Sequence, residues 1–158
     1  MNKKIFAKIC MTVIVLLFCF PIQLSAQNSI GFEGTLKNGE EIQDMKGDAS
    51  YINYPSLFSV FLKSENSSCG IHLMGLREKT SEETTFVVAS KDSLNARVVC
   101  VFDNYEPTER FVADEGQIKI RYSERNKMLQ GLLQVSLIGG VTDNKFEIEA
   151  EFDASAMD

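Results

Sequence analysis

The chain has 158 residues, with four cysteines, one histidine and no tryptophan. Residues 1–26 hold three of the 16 basic residues and none of the 22 acidic ones, so the remainder carries 13 basic against 22 acidic residues, a net charge of −9. That charge excludes polyanionic partners, nucleic acid or an anionic lipid surface, as the natural target, while the length suffices for one hydrophobic core.

Asn2-Lys3-Lys4 and Lys8 form a cationic start, and Ile9 to Phe20 is an uncharged apolar run. Pro21 breaks the run and Leu24-Ser25-Ala26 places a small residue at its exit. This is the pattern of a secretory signal peptide, residues 1–26, with cleavage expected between Ala26 and Gln27. The run falls short of the roughly 20 residues that a membrane helix needs. Cys10 follows Ile9 and Cys19 follows Phe18, so neither has the small preceding residue of a lipidated cysteine. The expectation is export to the periplasm or the extracellular space, with residues 27–158 as a single domain that has no membrane span.

Alternation with a period of two governs the rest of the chain, the mark of half-buried strands. Ile30–Leu36 and Glu41–Met45 flank Lys37-Asn38-Gly39-Glu40, where the Asn-Gly pair signals a hairpin. Further strands are predicted over Ala49–Tyr54, Leu57–Leu62, Ile71–Leu76, Thr84–Ala89 and Ala96–Phe102, most of them separated by polar turns. Asp103–Arg110, containing Pro107, is the longest irregular connection. Gln117–Tyr122, Met128–Ile138 and Lys145–Asp153 then read as an antiparallel meander. In the last of these Phe146, Ile148, Ala150 and Phe152 fall on one face and Glu147, Glu149, Glu151 and Asp153 on the other. The acidic row reads as protection of a terminal strand against edge pairing.

Eight to ten short strands with regular turns predict an all-β fold. The architecture expected is an antiparallel β-sandwich, immunoglobulin-like in layout, with a small up-and-down β-barrel as the alternative. The sandwich is favoured because a small ligand-binding barrel would want a larger aromatic interior, and tryptophan is absent. Cys69 and Cys100 are the only cysteines beyond the signal peptide. In an exported chain they predict one disulfide, worth about 3–4 kcal/mol in the chain-entropy account.

Thr84-Thr85-Phe86, Gly116-Gln117-Ile118-Lys119-Ile120, Gln130-Gly131-Leu132-Leu133 and Phe146-Glu147-Ile148-Glu149 follow one another in a recognisable layout. It resembles a family of small exported β-sandwich proteins of unknown function from Bacteroides-type bacteria, over residues 57–153. The resemblance implies the fold and brings no catalytic residues. Members often carry a lipidated cysteine that this chain lacks.

Little in the sequence carries chemistry. His72 is the only histidine, and general-base catalysis would need a nucleophile and an orienting acid beside it. Cys69 lies three positions earlier, on the opposite face of a strand. No nucleophile elbow, zinc spacing or phosphate loop occurs, so neither a catalytic residue nor a metal or other cofactor is expected. Asp103-Asn104-Tyr105-Glu106, continuing to Glu109, lacks the spacing of a calcium loop. Tyr51 and Tyr54 flank a turn and suit either a sugar platform or edge packing. Asn66-Ser67-Ser68 matches a glycosylation acceptor, and Asp92-Ser93-Leu94 resembles the O-glycosylation motif of Bacteroides-type exported proteins. The functional expectation is a non-enzymatic module that binds a protein or glycan partner through Tyr105 and Glu106 in the Asp103–Arg110 loop. A small hydrolase built on His72 and a lipocalin-like carrier of an apolar ligand are the alternatives.

Overall fold

The computed structural model describes residues 30–76, 81–89, 95–103, 109–123, 125 and 127–157. The expected signal peptide, Asp92-Ser93-Leu94, Tyr105 and Glu106 lie outside the described residues.

Nine strands follow one another: β1 (Gly31–Asn38), β2 (Glu41–Asn53), β3 (Leu57–Lys63), β4 (Ser67–Met74), β5 (Thr84–Ala89), β6 (Ala96–Phe102), β7 (Arg110–Ser123), β8 (Met128–Gly139) and β9 (Lys145–Ala156). They form one sheet in which β1, β2, β3, β4, β6, β7, β8 and β9 pair in turn and β9 returns to β1. The sheet is therefore a closed eight-stranded antiparallel β-barrel. β5 is the extra strand and lies along the edge of β7 beyond the short β6–β7 ladder.

The barrel replaces the expected immunoglobulin-like sandwich. Local alternation reports that a strand has one buried face, and both architectures satisfy it. What separates them is the pairing of the first strand with the last, Gly31–Lys37 against Asp153–Glu147, which no local pattern encodes. The absence of tryptophan does not disfavour a barrel either, because this one is not hollow. Eight strands enclose a space that side chains fill by themselves. Here Val60, Ile71, Leu73, Val98, Cys100, Phe111, Ile118, Leu133, Leu137 and Ala154 are fully buried.

Phe146, Ile148, Ala150 and Phe152 point inward as their alternation predicts, and the four carboxylates of β9 face outward. Their expected role as edge protection is corrected, because β9 lies between β8 and β1 and is not an edge. The carboxylates instead join cross-strand ladders. Arg121 donates to Gln130, which donates to Asp153, at 2.8 and 2.7 Å. Gln117 donates to Gln134, which donates to Glu149, at 2.8 and 2.9 Å. Lys37–Glu147 and Lys46–Glu33 add exposed ion pairs, each worth under about 1 kcal/mol.

The strands are longer than the sequence suggests. β2 runs unbroken through Lys46-Gly47-Asp48, and β7 begins at Arg110 with a bulge between Ala113 and Glu115. β4 begins at Ser67, within the predicted turn. There Cys69 sits directly across from Cys100 of β6, with Cα atoms 4.1 Å apart, and the two are joined by a disulfide inside the barrel. A partner strand overrides the weak β propensity of the Ser-Ser-Cys-Gly stretch.

Candidate functional site

One end of the barrel carries the β1–β2, β3–β4, β6–β7 and β8–β9 connections. A few side chains and backbone bonds set the geometry of the β8–β9 and β3–β4 connections. At the β8–β9 turn the carboxylate of Glu109, buried although charged, accepts bonds from the Val141 and Thr142 amides at 2.7 and 2.8 Å and from the Thr142 hydroxyl at 2.7 Å. These bonds, the Thr142 hydroxyl foremost, hold its pKa below the ordinary carboxylate range against the opposing effect of burial. In the sequence Glu109 closes an acidic stretch of an irregular connection; in the fold it is a buried latch on the neighbouring turn. The β3–β4 turn closes through Ser64 N to Ser67 O at 2.9 Å, and Asn66 O accepts from Asp103 N at 3.0 Å.

A carboxylate with a depressed pKa stabilises the fold above its unfolded value of about 4.3 and loses that contribution as pH falls through the folded value. Thermal melts from neutral pH down to pH 3 should show an acid decline in the wild type. In Glu109→Gln the curve should start lower at neutral pH and fall less. An unchanged acid limb in the variant would contradict the latch.

The β1–β2 hairpin stands apart from the other connections. β2 pairs with β3 only from Asp48 to Asn53, so Glu41–Gly47 pair with β1 on one edge and with no described strand on the other. The parting falls at Gly47, where a side chain would collide with the Lys63 carbonyl, 2.1 Å from an ideal Cβ. Between this open edge and the Ser64–Ser67 turn lies a groove of about 660 Å³ with Leu36, Met45, Phe102 and Phe146 at its base. Ile42 beside it is 65% exposed.

The register of the hairpin fixes which backbone groups face the groove. Gly39, with φ of 62°, and Glu40 form a two-residue loop closed by Asn38 and Glu41, as in the hairpin whose first central residue is glycine. Such a closing pair is hydrogen-bonded, and bonded pairs alternate along an antiparallel ladder. The N–H and C=O groups of Ile42, Asp44 and Lys46 therefore turn toward the groove.

A second cluster surrounds His72 on the outer wall. Ser59 Oγ and His72 Nδ1 share a hydrogen bond of 3.0 Å, and Phe61 meets the imidazole edge-on at 6.4 Å. Burial, and secondarily the neighbouring Arg97 guanidinium, push the His72 pKa below its usual value. Arg97 opposes the imidazolium, the reverse of what an orienting carboxylate does. Ser59 is only 2% exposed, so a substrate carbonyl has no approach to its oxygen. Cys69 faces the interior while His72 faces out, as their spacing predicts.

The remaining sequence candidates separate. Tyr51 stacks on Phe58 with ring centres 5.0 Å apart and joins the core, whereas Tyr54 is exposed. They form no shared platform. Among the described residues no group of three or more His, Cys, Asp or Glu side chains is placed to hold a metal ion. The open edge of β2 went unrecognised in the sequence, where Lys46-Gly47-Asp48 read as a gap between two strands; an unpaired edge leaves no local mark. Comparison of the chain with family models, with curated proteins and with solved structures finds no match.

Proposed function

We propose that this chain is an exported, non-catalytic binding module that takes its partner at the open end of the barrel, in the groove beside β2. The observation that carries this reading is the groove itself: an apolar base flanked by a strand edge whose backbone groups have no described strand opposite them. The Cys69–Cys100 disulfide supports an oxidising, exported setting. The strands flanking Tyr105 and Glu106 end at this same rim, and Phe102 at the end of β6 contributes to the groove. Tyr105 and Glu106 are kept as proposed contacts.

The packed interior weighs against a carrier, since the volume an apolar ligand would occupy is taken by Phe111, Ile118, Leu133 and Leu137. The buried Ser59 and the cation beside His72 weigh against a hydrolase. No helix among the described residues is long and apolar enough to cross a membrane. Outward-facing Glu147, Glu149 and Glu151 do not suit a lipid-facing barrel wall either.

Affinity capture from the native compartment tests the site. The mature protein and its His72→Ala variant should retain the same partner, and Ile42→Arg combined with Asn66→Trp should lose it while melting normally. Retention by the groove variant, or loss with His72→Ala in a folded protein, would overturn the proposal.

A further inference from the structure

We propose that the groove binds an extended cationic peptide segment, which adds to the free edge of β2 as a ninth barrel-wall strand. This rests on the reading of the groove as the binding site and specifies the ligand's chemistry. Three observations select it.

The first is the backbone. Ile42, Asp44 and Lys46 offer three N–H and three C=O groups in strand geometry, spaced for another strand. A polypeptide in extended conformation can pair with the whole row in register, and main-chain pairing of this kind supplies affinity without dictating sequence. The incoming strand would occupy the line β3 would follow had it continued past Lys63.

The second is the apolar base. A residue directly across an antiparallel or parallel pair shares the face of its neighbour. Ligand residues opposite Gln43 and Met45 would point toward Leu36, Phe102 and Phe146, while those opposite Ile42 and Asp44 would point outward. The ligand should therefore alternate apolar and polar residues.

The third is charge. Glu41, Asp44 and Glu65 line the groove, and none of them has an ion-pair partner among the described residues. Lys46, the basic residue of the lining, is engaged by Glu33. Nearby Lys37 is engaged by Glu147; Lys63, which lies outside the lining, makes no ion pair among the described residues and faces Asp48 across the register. The net charge of the lining is negative, so the polar positions of the ligand should be lysine or arginine. The same charge disfavours antiparallel pairing of β2 with β2 of a second copy, which would bring these carboxylates together.

The test uses the mature chain, a blocked peptide alternating lysine and valine, and the same peptide with glutamate for lysine. Titration should shift the amide resonances of the groove. Binding of the basic peptide should protect the Ile42, Asp44 and Lys46 amides from exchange and weaken as salt rises. Ile42→Pro removes one groove-facing N–H and is compatible with an edge position; it should weaken binding about fivefold, the worth of one net hydrogen bond. Asp44→Lys should weaken it about tenfold. Absence of binding, equal binding of the two peptides, or shifts in the groove without amide protection would overturn the strand-addition proposal and leave the groove reading standing. Shifts confined to another face would overturn both.

Discussion

Replacing Phe146 by alanine is expected to destabilise the protein by about 3–5 kcal/mol, the range for a large core aromatic. Phe146 is 1% exposed and meets Phe111 edge-on with ring centres 4.9 Å apart, and both rings lie against Phe102 at 5.4 and 5.2 Å. Edge-to-face contacts add to the gain from buried area, and β9 is held between β8 and β1, which limits collapse around a void. At this chain length the loss corresponds to a melting temperature lower by roughly 10–15 °C. Phe146→Leu keeps most of the volume and should cost about 1–1.5 kcal/mol. Calorimetry on the two variants decides the matter, and an alanine variant within about 1 kcal/mol of wild type would mean that the trio does not organise the core.

The second large effect belongs to the disulfide. Replacing both Cys69 and Cys100 by alanine should cost about 3–4 kcal/mol, because the bond closes a loop with a sequence separation of 31 and thereby restricts the unfolded chain. Both cysteines are at least 96% buried. Reductant should therefore act on the native protein only through unfolding, and thiol labelling of unreduced, denatured protein should find no free thiol. Equal stability of oxidised wild type and the double variant in denaturant titration would contradict the bond's role.

Much of the sheet was legible in the sequence. Lys145–Asp153 assigns its residues correctly to two faces because a strand sorts them by parity alone. Thr84–Ala89 and Ala96–Phe102 match β5 and β6 end to end, each bounded by polar residues. Cys69 and Cys100 pair as the compartment argument expects.

What was not legible depends on contacts between distant residues. Ser67-Ser68 fall in a predicted turn, Arg110 at the end of the predicted irregular connection and Phe111–Gly116 in no predicted strand, yet their neighbours β6, β5 and β8 draw them into the sheet. The closure of β1 on β9 decides barrel against sandwich, and it follows from shape and not from any local pattern. The groove is less legible still. Gly47 and Asp48 look like a strand break in sequence; in the fold they mark where β2 continues without β3.

The β1–β9 seam also orders events in time. Lys37 and Glu147 meet across it although 110 residues separate them, so the first wall strand has no second neighbour until the last has been delivered. A chain delivered from its N-terminus can pair β1 with β2 early, but the other edge of β1 stays open until β9 arrives. Folding of this high contact order falls in the millisecond-to-second range and leaves strand edges open to aggregation meanwhile. Completion of the wall is thus tied to arrival of the C-terminal strand, and a product that stops before Lys145 would be left with two raw edges for the cell's quality control to find.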